Sequence, residues 1–194
     1  MKRLILEFLG SFGYLLFGCI IELFVIHYLS IPIFSLKVLI IALGFATSFG
    51  IIYSLCNLFY DVDINPLFTF TSWLKNDISF YKMISTIFIQ ILGAVESGLV
   101  ILLLLPNLLD SLVIGVGNHI LFSSSFNTII LVEFIASFVF TFSYFVIKKK
   151  IQSKKMWGLL LGILLFLLLF ISISFTGGSV NPVSYTHLTL PTIA

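Results

Sequence analysis

Five apolar runs dominate the chain, at about Leu4 to Leu29, Lys37 to Phe59, Ser79 to Leu105, Asn127 to Ile147 and Met156 to Phe175. Each reaches the ~20 residues needed to cross ~30 Å of hydrocarbon. Lipid offers the backbone no hydrogen-bond partners, so segments of this kind must cross it as helices. Composition agrees: 60% of residues are hydrophobic and 9% charged, with a mean hydropathy of +1.21, where soluble domains carry about 25% charge. A soluble globular enzyme is excluded. The net charge of +2 gives no basic field able to hold a nucleic acid backbone. Cys19 and Cys56 sit inside apolar segments without metal-ligand spacing and read as small buried hydrophobes. The basic start Met1-Lys2-Arg3 resembles a signal peptide, but the run behind it carries Glu7 and Glu22 and has no small-x-small cleavage site. It reads as a retained first span.

Positive charges set the orientation, because Lys and Arg in short loops stay on the cytoplasmic side. With the amino terminus inside, Lys2, Arg3, Lys75, Lys82, Lys148, Lys149, Lys150, Lys154 and Lys155 are all cytoplasmic, and Lys37 alone is outside. The expected location is the plasma (cytoplasmic) membrane with the amino terminus in the cytoplasm. The lysine cluster also fits an anionic-lipid site, although topology accounts for it.

Two short stretches recur in the same order. Leu6-Glu7-Phe8-Leu9-Gly10-Ser11-Phe12 is echoed by Val132-Glu133-Phe134-Ile135-Ala136-Ser137-Phe138, and Ile64-Asn65-Pro66-Leu67 by Val180-Asn181-Pro182-Val183. Three crossings separate the first span from the fourth, so the second copy inserts upside down, as in an inverted repeat. Asn is a preferred helix N-cap and Pro is favoured at the first helical position, so each Asn-Pro pair reads as a helix start. Leu67 to Leu74 makes only about 12 Å of helix, too short to span. Broken backbone of this kind survives at membrane depth only where it lines a polar cavity. Two such half helices entering from opposite faces would bring their positive dipole ends together. If each Asn caps its own helix through its side-chain oxygen, its amide hydrogens can donate to a passing hydroxyl oxygen. Water held in that way relays protons poorly, and the paired positive ends oppose cations.

On these residues the chain resembles the aquaporin, or major intrinsic protein, family, with its duplicated Asn-Pro-Ala boxes. Gln90-Ile91-Leu92-Gly93-Ala94, Thr69 and Thr176-Gly177-Gly178-Ser179-Val180-Asn181-Pro182 extend the resemblance to about Pro182. It implies an all-α polytopic membrane protein built as an aquaporin-like inverted repeat, each half with three spans and a re-entrant half helix. Residues 1–126 would form the first repeat and 127–183 an incomplete second one. The implied activity is passive passage of water or small uncharged solutes such as glycerol, through a pore in each subunit of a homotetramer, with no cofactor and no enzyme chemistry. The boxes would be Asn65, Pro66 and Leu67, and Asn181, Pro182 and Val183. Glu7 and Glu133 would brace the re-entrant loops, and Phe45, Leu169 and Gly178 would form the selectivity constriction.

The chain also departs from the family pattern. Leu67 and Val183 replace the box Ala, Asp63 stands where a His often precedes the first box, and Leu169 stands where water-selective members often carry His. The Arg expected just after the second box falls at Ser184. From there the polar stretch Ser-Tyr-Thr-His-Leu-Thr-Leu-Pro-Thr resembles translated adapter read-through, so 184–194 is expected to be a non-native tail with no sixth span, and His187 carries no weight. Asp63 could lower the cation barrier, but a loop acid facing the cytoplasm is the expected reading. Glu96, an ionisable group at membrane depth, is expected to pair in the interior or at a subunit contact. Glu22 and His27 are expected at the membrane interface, and His119 lies in the outer loop. No Ser-His-Asp or Cys-His set can be assembled at lumen positions. The rival readings are an ion- or proton-coupled secondary transporter using Glu96 and Asp63, and a non-conducting protein plugged by Leu67 and Val183.

Overall fold

A computed structural model describes residues 1–29, 33–105 and 125–183. In chain order its helices are α1 (Lys2–His27), α2 (Phe34–Phe59), α3 (Pro66–Leu74), α4 (Phe80–Leu104), α5 (Phe126–Lys150) and α6 (Lys154–Thr176). All but α3 are long and apolar enough to span, so the expected five spans are found within a few residues of their expected ends. The described residues contain helices and no strands, and the protein is an all-α polytopic membrane protein.

Local chemistry sets the helix starts. The Ser79 hydroxyl accepts from Lys82 N at 3.3 Å and the Ser125 hydroxyl from Thr128 N at 3.2 Å, each satisfying an orphan donor of a first turn. At its C-terminal end, α6 is closed by Gly177 in the left-handed region at φ 84°, which glycine adopts without a side-chain clash.

Helices cannot be driven together by hydrophobicity inside lipid, so small residues that let backbones touch decide who packs with whom. A side chain on Gly93 of α4 would lie 2.5 Å from the Phe8 carbonyl of α1, and one on Gly50 of α2 would lie 2.9 Å from the Gly158 carbonyl of α6. Those two crossings, α1 on α4 and α2 on α6, are the closest-knit in the fold together with α1 on α2. Helix α3 packs on α4 and α5. Outward-facing Phe17, Ile51, Phe88, Phe134 and Leu159 are exposed, as suits side chains meeting acyl tails.

The interior is aromatic. Tyr14 meets Phe49 edge-on at 5.4 Å, Phe49 meets Phe140 at 5.6 Å, Phe140 meets Phe68 at 5.1 Å, and Phe68 stacks on Tyr144 at 3.9 Å. Four helices, α1, α2, α3 and α5, thus share one buried column of rings.

Candidate functional site

The two Asn-Pro segments meet in the middle of the molecule. Asn65 caps α3 with its side-chain oxygen, which accepts from Leu67 N at 2.9 Å, and Pro66 occupies the first helical turn. Asn181 repeats the cap on Val183 N at 3.2 Å. Its amide nitrogen donates to the Ile64 carbonyl at 3.2 Å, which joins the second segment to the residue next to Asn65. The amide nitrogen of Asn65 is buried and has no hydrogen-bond partner among the described residues. The expected pair of lumen-facing amides is therefore asymmetric, because one of them is turned onto the opposing backbone.

Each segment is held by a carboxylate in the same way. Glu7 accepts from Asp63 N and Ile64 N, both at 2.9 Å, while Glu133 accepts from Ser179 N at 3.2 Å and Val180 N at 3.1 Å. Ile64 and Val180 both stand at φ 54°, a left-handed conformation that β-branched residues rarely adopt. Such strain costs on the order of 1–3 kcal/mol, and hydrogen bonds to a charged acceptor contribute about 1.5–3 kcal/mol each, so two of them outweigh it. The left-handed residue turns successive N–H groups toward one acceptor, which is why a buried acid sits there.

The first acid is the better enclosed. Gln90 of α4 donates to Glu7 at 2.9 Å and to the Thr69 hydroxyl at 3.1 Å, and Arg3 lies 3.4 Å from Glu7. Glu7 is fully buried. Glu133 is half-buried, and its further partner is the Thr176 hydroxyl.

A family model described as Major intrinsic protein matches residues 1–185. The chain belongs to that family. No curated protein matches it. Major intrinsic proteins are channels for water or small solutes rather than enzymes, and the five apolar helices make this member an integral membrane protein.

Asp63 stands elsewhere than expected, and Glu96 lies outside the interior. Asp63 is not a loop acid facing the cytoplasm: it is 3% exposed and bonds Arg3 at 3.1 Å, the Thr69 hydroxyl at 2.9 Å and the Tyr144 hydroxyl at 2.6 Å. Its partners come from α1, α3 and α5, and a carboxylate can be buried when it is paired so fully. Glu96 does not pair in the interior. It is exposed on α4 and makes no hydrogen bond or ion pair among the described residues, so it shares no site with Asp63. Glu22 is half-buried near the end of α1 and His27 is exposed there, beside Tyr28. Both cysteines are free and buried.

Of the constriction candidates in this major intrinsic protein, Phe45 is half-buried with its ring 6.0 Å from Tyr14, Leu169 lies in the main apolar core, and Gly178 is half-buried at φ 66°. Leu67 is half-buried and Val183 buried; Pro182 is exposed. His119, Ser184, His187, the long connection after Leu105 and the tail lie outside the described residues.

Sequence reasoning missed the partners of Asp63. Tyr144 lies about three turns after Glu133 on α5, on one face with Ala136 and Phe140, the other residues that helix buries. That stripe was legible. Lys148, one turn further on, donates to the Tyr144 hydroxyl at 3.0 Å and to the exposed Asp61. The Arg3 to Asp63 pair joins residues far apart in the chain and left no local signal.

Proposed function

We propose that this chain forms a passive channel for water and small uncharged solutes such as glycerol, in which Asn65 and Asn181 hold the permeant at the junction of the two half helices. The observation that carries this reading is the pair of matched caps meeting through the Asn181 to Ile64 bond, with the Asn65 amide buried and without a hydrogen-bond partner among the described residues. A buried N–H that meets no protein acceptor is destabilising by about 1–3 kcal/mol unless a permeant accepts from it. A hydroxyl oxygen bound there points its hydrogens away from the donor, which opposes proton relay. Phe45, Leu169 and Gly178 would form the constriction, and Glu7 and Glu133 hold the loops that carry the boxes. Residues 1–126 and 127–183 serve as the two repeats, with the amino terminus in the cytoplasm of a plasma-membrane protein. A homotetramer would cover the exposed Glu96 face or its neighbours.

The test is osmotic shrinkage of liposomes carrying the protein. Shrinkage faster than in empty liposomes, with a pH gradient preserved, is expected. A proton leak coupled to solute uptake would favour a coupled transporter instead.

The buried aromatic column favours a second reading, a non-conducting protein, because Phe49, Phe68, Phe140 and Tyr144 fill the space between α2, α3 and α5. Shrinkage equal to that of empty liposomes supports it.

A further inference from the structure

An open cavity of about 1060 Å³ lies beside the first box, at the end of the molecule where α1 begins and α5 ends. Three carboxylates line it, and each has a cation: Asp63 pairs with Arg3 at 3.1 Å, Asp77 with Lys75 at 3.0 Å, and Asp61 with Lys148. Two further cations line it, Lys82 from α4 and Lys149 from α5, and neither forms an ion pair among the described residues. The lining therefore carries two positive charges in excess. Glu7 also lies 3.4 Å from Arg3, but it is fully buried, does not line the cavity, and is held by two backbone N–H groups and Gln90.

A cleft lined by an excess of one sign concentrates ions of the other. The remaining walls say what kind of ion fits. Thr71 and Ser72 of α3 offer hydroxyl groups that make no hydrogen bond among the described residues, and Phe138 and Phe142 of α5 offer exposed apolar rings. Cations, hydroxyl donors and an apolar wall together suit an anion with several acceptor oxygens on an organic body. A phosphate monoester carries about 1.5–2 negative charges at pH 7 and three strong acceptor oxygens, which matches both the excess charge and the donors.

We propose that this cavity binds a phosphate monoester, which Lys82 and Lys149 neutralise from two different helices while Thr71 and Ser72 donate to its oxygens. The phosphate belongs to a lipid headgroup or to a soluble phosphorylated solute. The site stands whether or not the chain conducts.

The test follows the unfolding midpoint of the full chain in detergent as inorganic phosphate, dihexanoyl phosphatidic acid or dihexanoyl phosphatidylglycerol is titrated at constant ionic strength. Phosphatidylglycerol is the control, a singly charged phosphodiester on the same tails. A saturable rise is expected with phosphatidic acid; a rise with phosphatidic acid alone identifies a lipid source, and an equal rise with inorganic phosphate a soluble one. In Lys82→Ala/Lys149→Ala the apparent Kd should rise about tenfold or more, because two charge-assisted contacts are lost. Lys154→Ala/Lys155→Ala removes two lysines that do not line the cavity and should bind like the wild type. If the first variant does not fold, Lys149→Gln replaces it, at the exposed end of α5, and should weaken binding about threefold or more. The proposal is overturned by the absence of a saturable response to both phosphate compounds, by phosphatidylglycerol acting as strongly as phosphatidic acid, or by equal losses in the two lysine pairs.

Discussion

The two halves of the molecule use one device in two settings. In each, a Glu on the first span accepts N–H groups from a left-handed β-branched residue and the residue before it, and an Asn two residues after the first of those donors caps the turn that begins there. In the first half, α4 closes over the acid with Gln90 and Gly93, and Arg3 adds a cation. In the second half the described residues hold no counterpart of α4 against α5. Helix α5 accordingly buries only Ala136, Phe140 and Tyr144, where α1 buries residues along its whole length from Glu7 to Val25. The acid-held turn is thus the same in both halves, and in the first half α4 adds Gln90 to its acid.

Removing each acid in turn should give the largest contrast. Glu7→Ala strips the enclosed site of its acceptor and leaves Arg3 and two N–H groups without it, so a loss of about 3–5 kcal/mol is expected, whereas Glu133→Ala should lose about 1–3 kcal/mol. Unfolding midpoints in detergent measure both, and equal losses would break the comparison. Gly93→Val comes next: its side chain would press on the Phe8 carbonyl, 2.5 Å from the added carbon, and about 1–3 kcal/mol of overpacking is expected. Hydrogen exchange should then rise in α1 and α4 and stay unchanged in α5. Gln90→Leu removes one donor to Glu7 but also a buried carbonyl oxygen that has no partner among the described residues, so its effect should be smaller, about 1.5 kcal/mol or less. The smallest change is Tyr144→Phe, which keeps the stack on Phe68 and loses the bond to Asp63, worth about 1 kcal/mol. A Tyr144→Phe protein less stable than Gln90→Leu would show that the link between halves matters more than closure within the first.

Much of this arrangement was legible in the residues. The spans follow from run length, Asn65 and Asn181 cap through atoms two residues away, and the Glu-bearing echoes pointed to paired acids. The environment of Asp63 was not legible, because its place beside the first box read as a solvent-facing loop. Nor was the fate of Glu96, since position along α4 says nothing about which face it takes. The Asn181 amide was expected to donate into the lumen, and one of its two hydrogens goes to the Ile64 carbonyl.

The order of amino acids settles here whatever depends on near neighbours: how long a helix runs, where it is capped, and which backbone turns invite an anion. Packing settled the rest. Arg3 finds Asp63 across 60 positions and Tyr144 finds it across 81, so these bonds exist only once α1, α3 and α5 have converged. Burial strengthens such bonds and makes an unpaired charge costly. Neither effect can be read before the neighbours that exclude solvent are known.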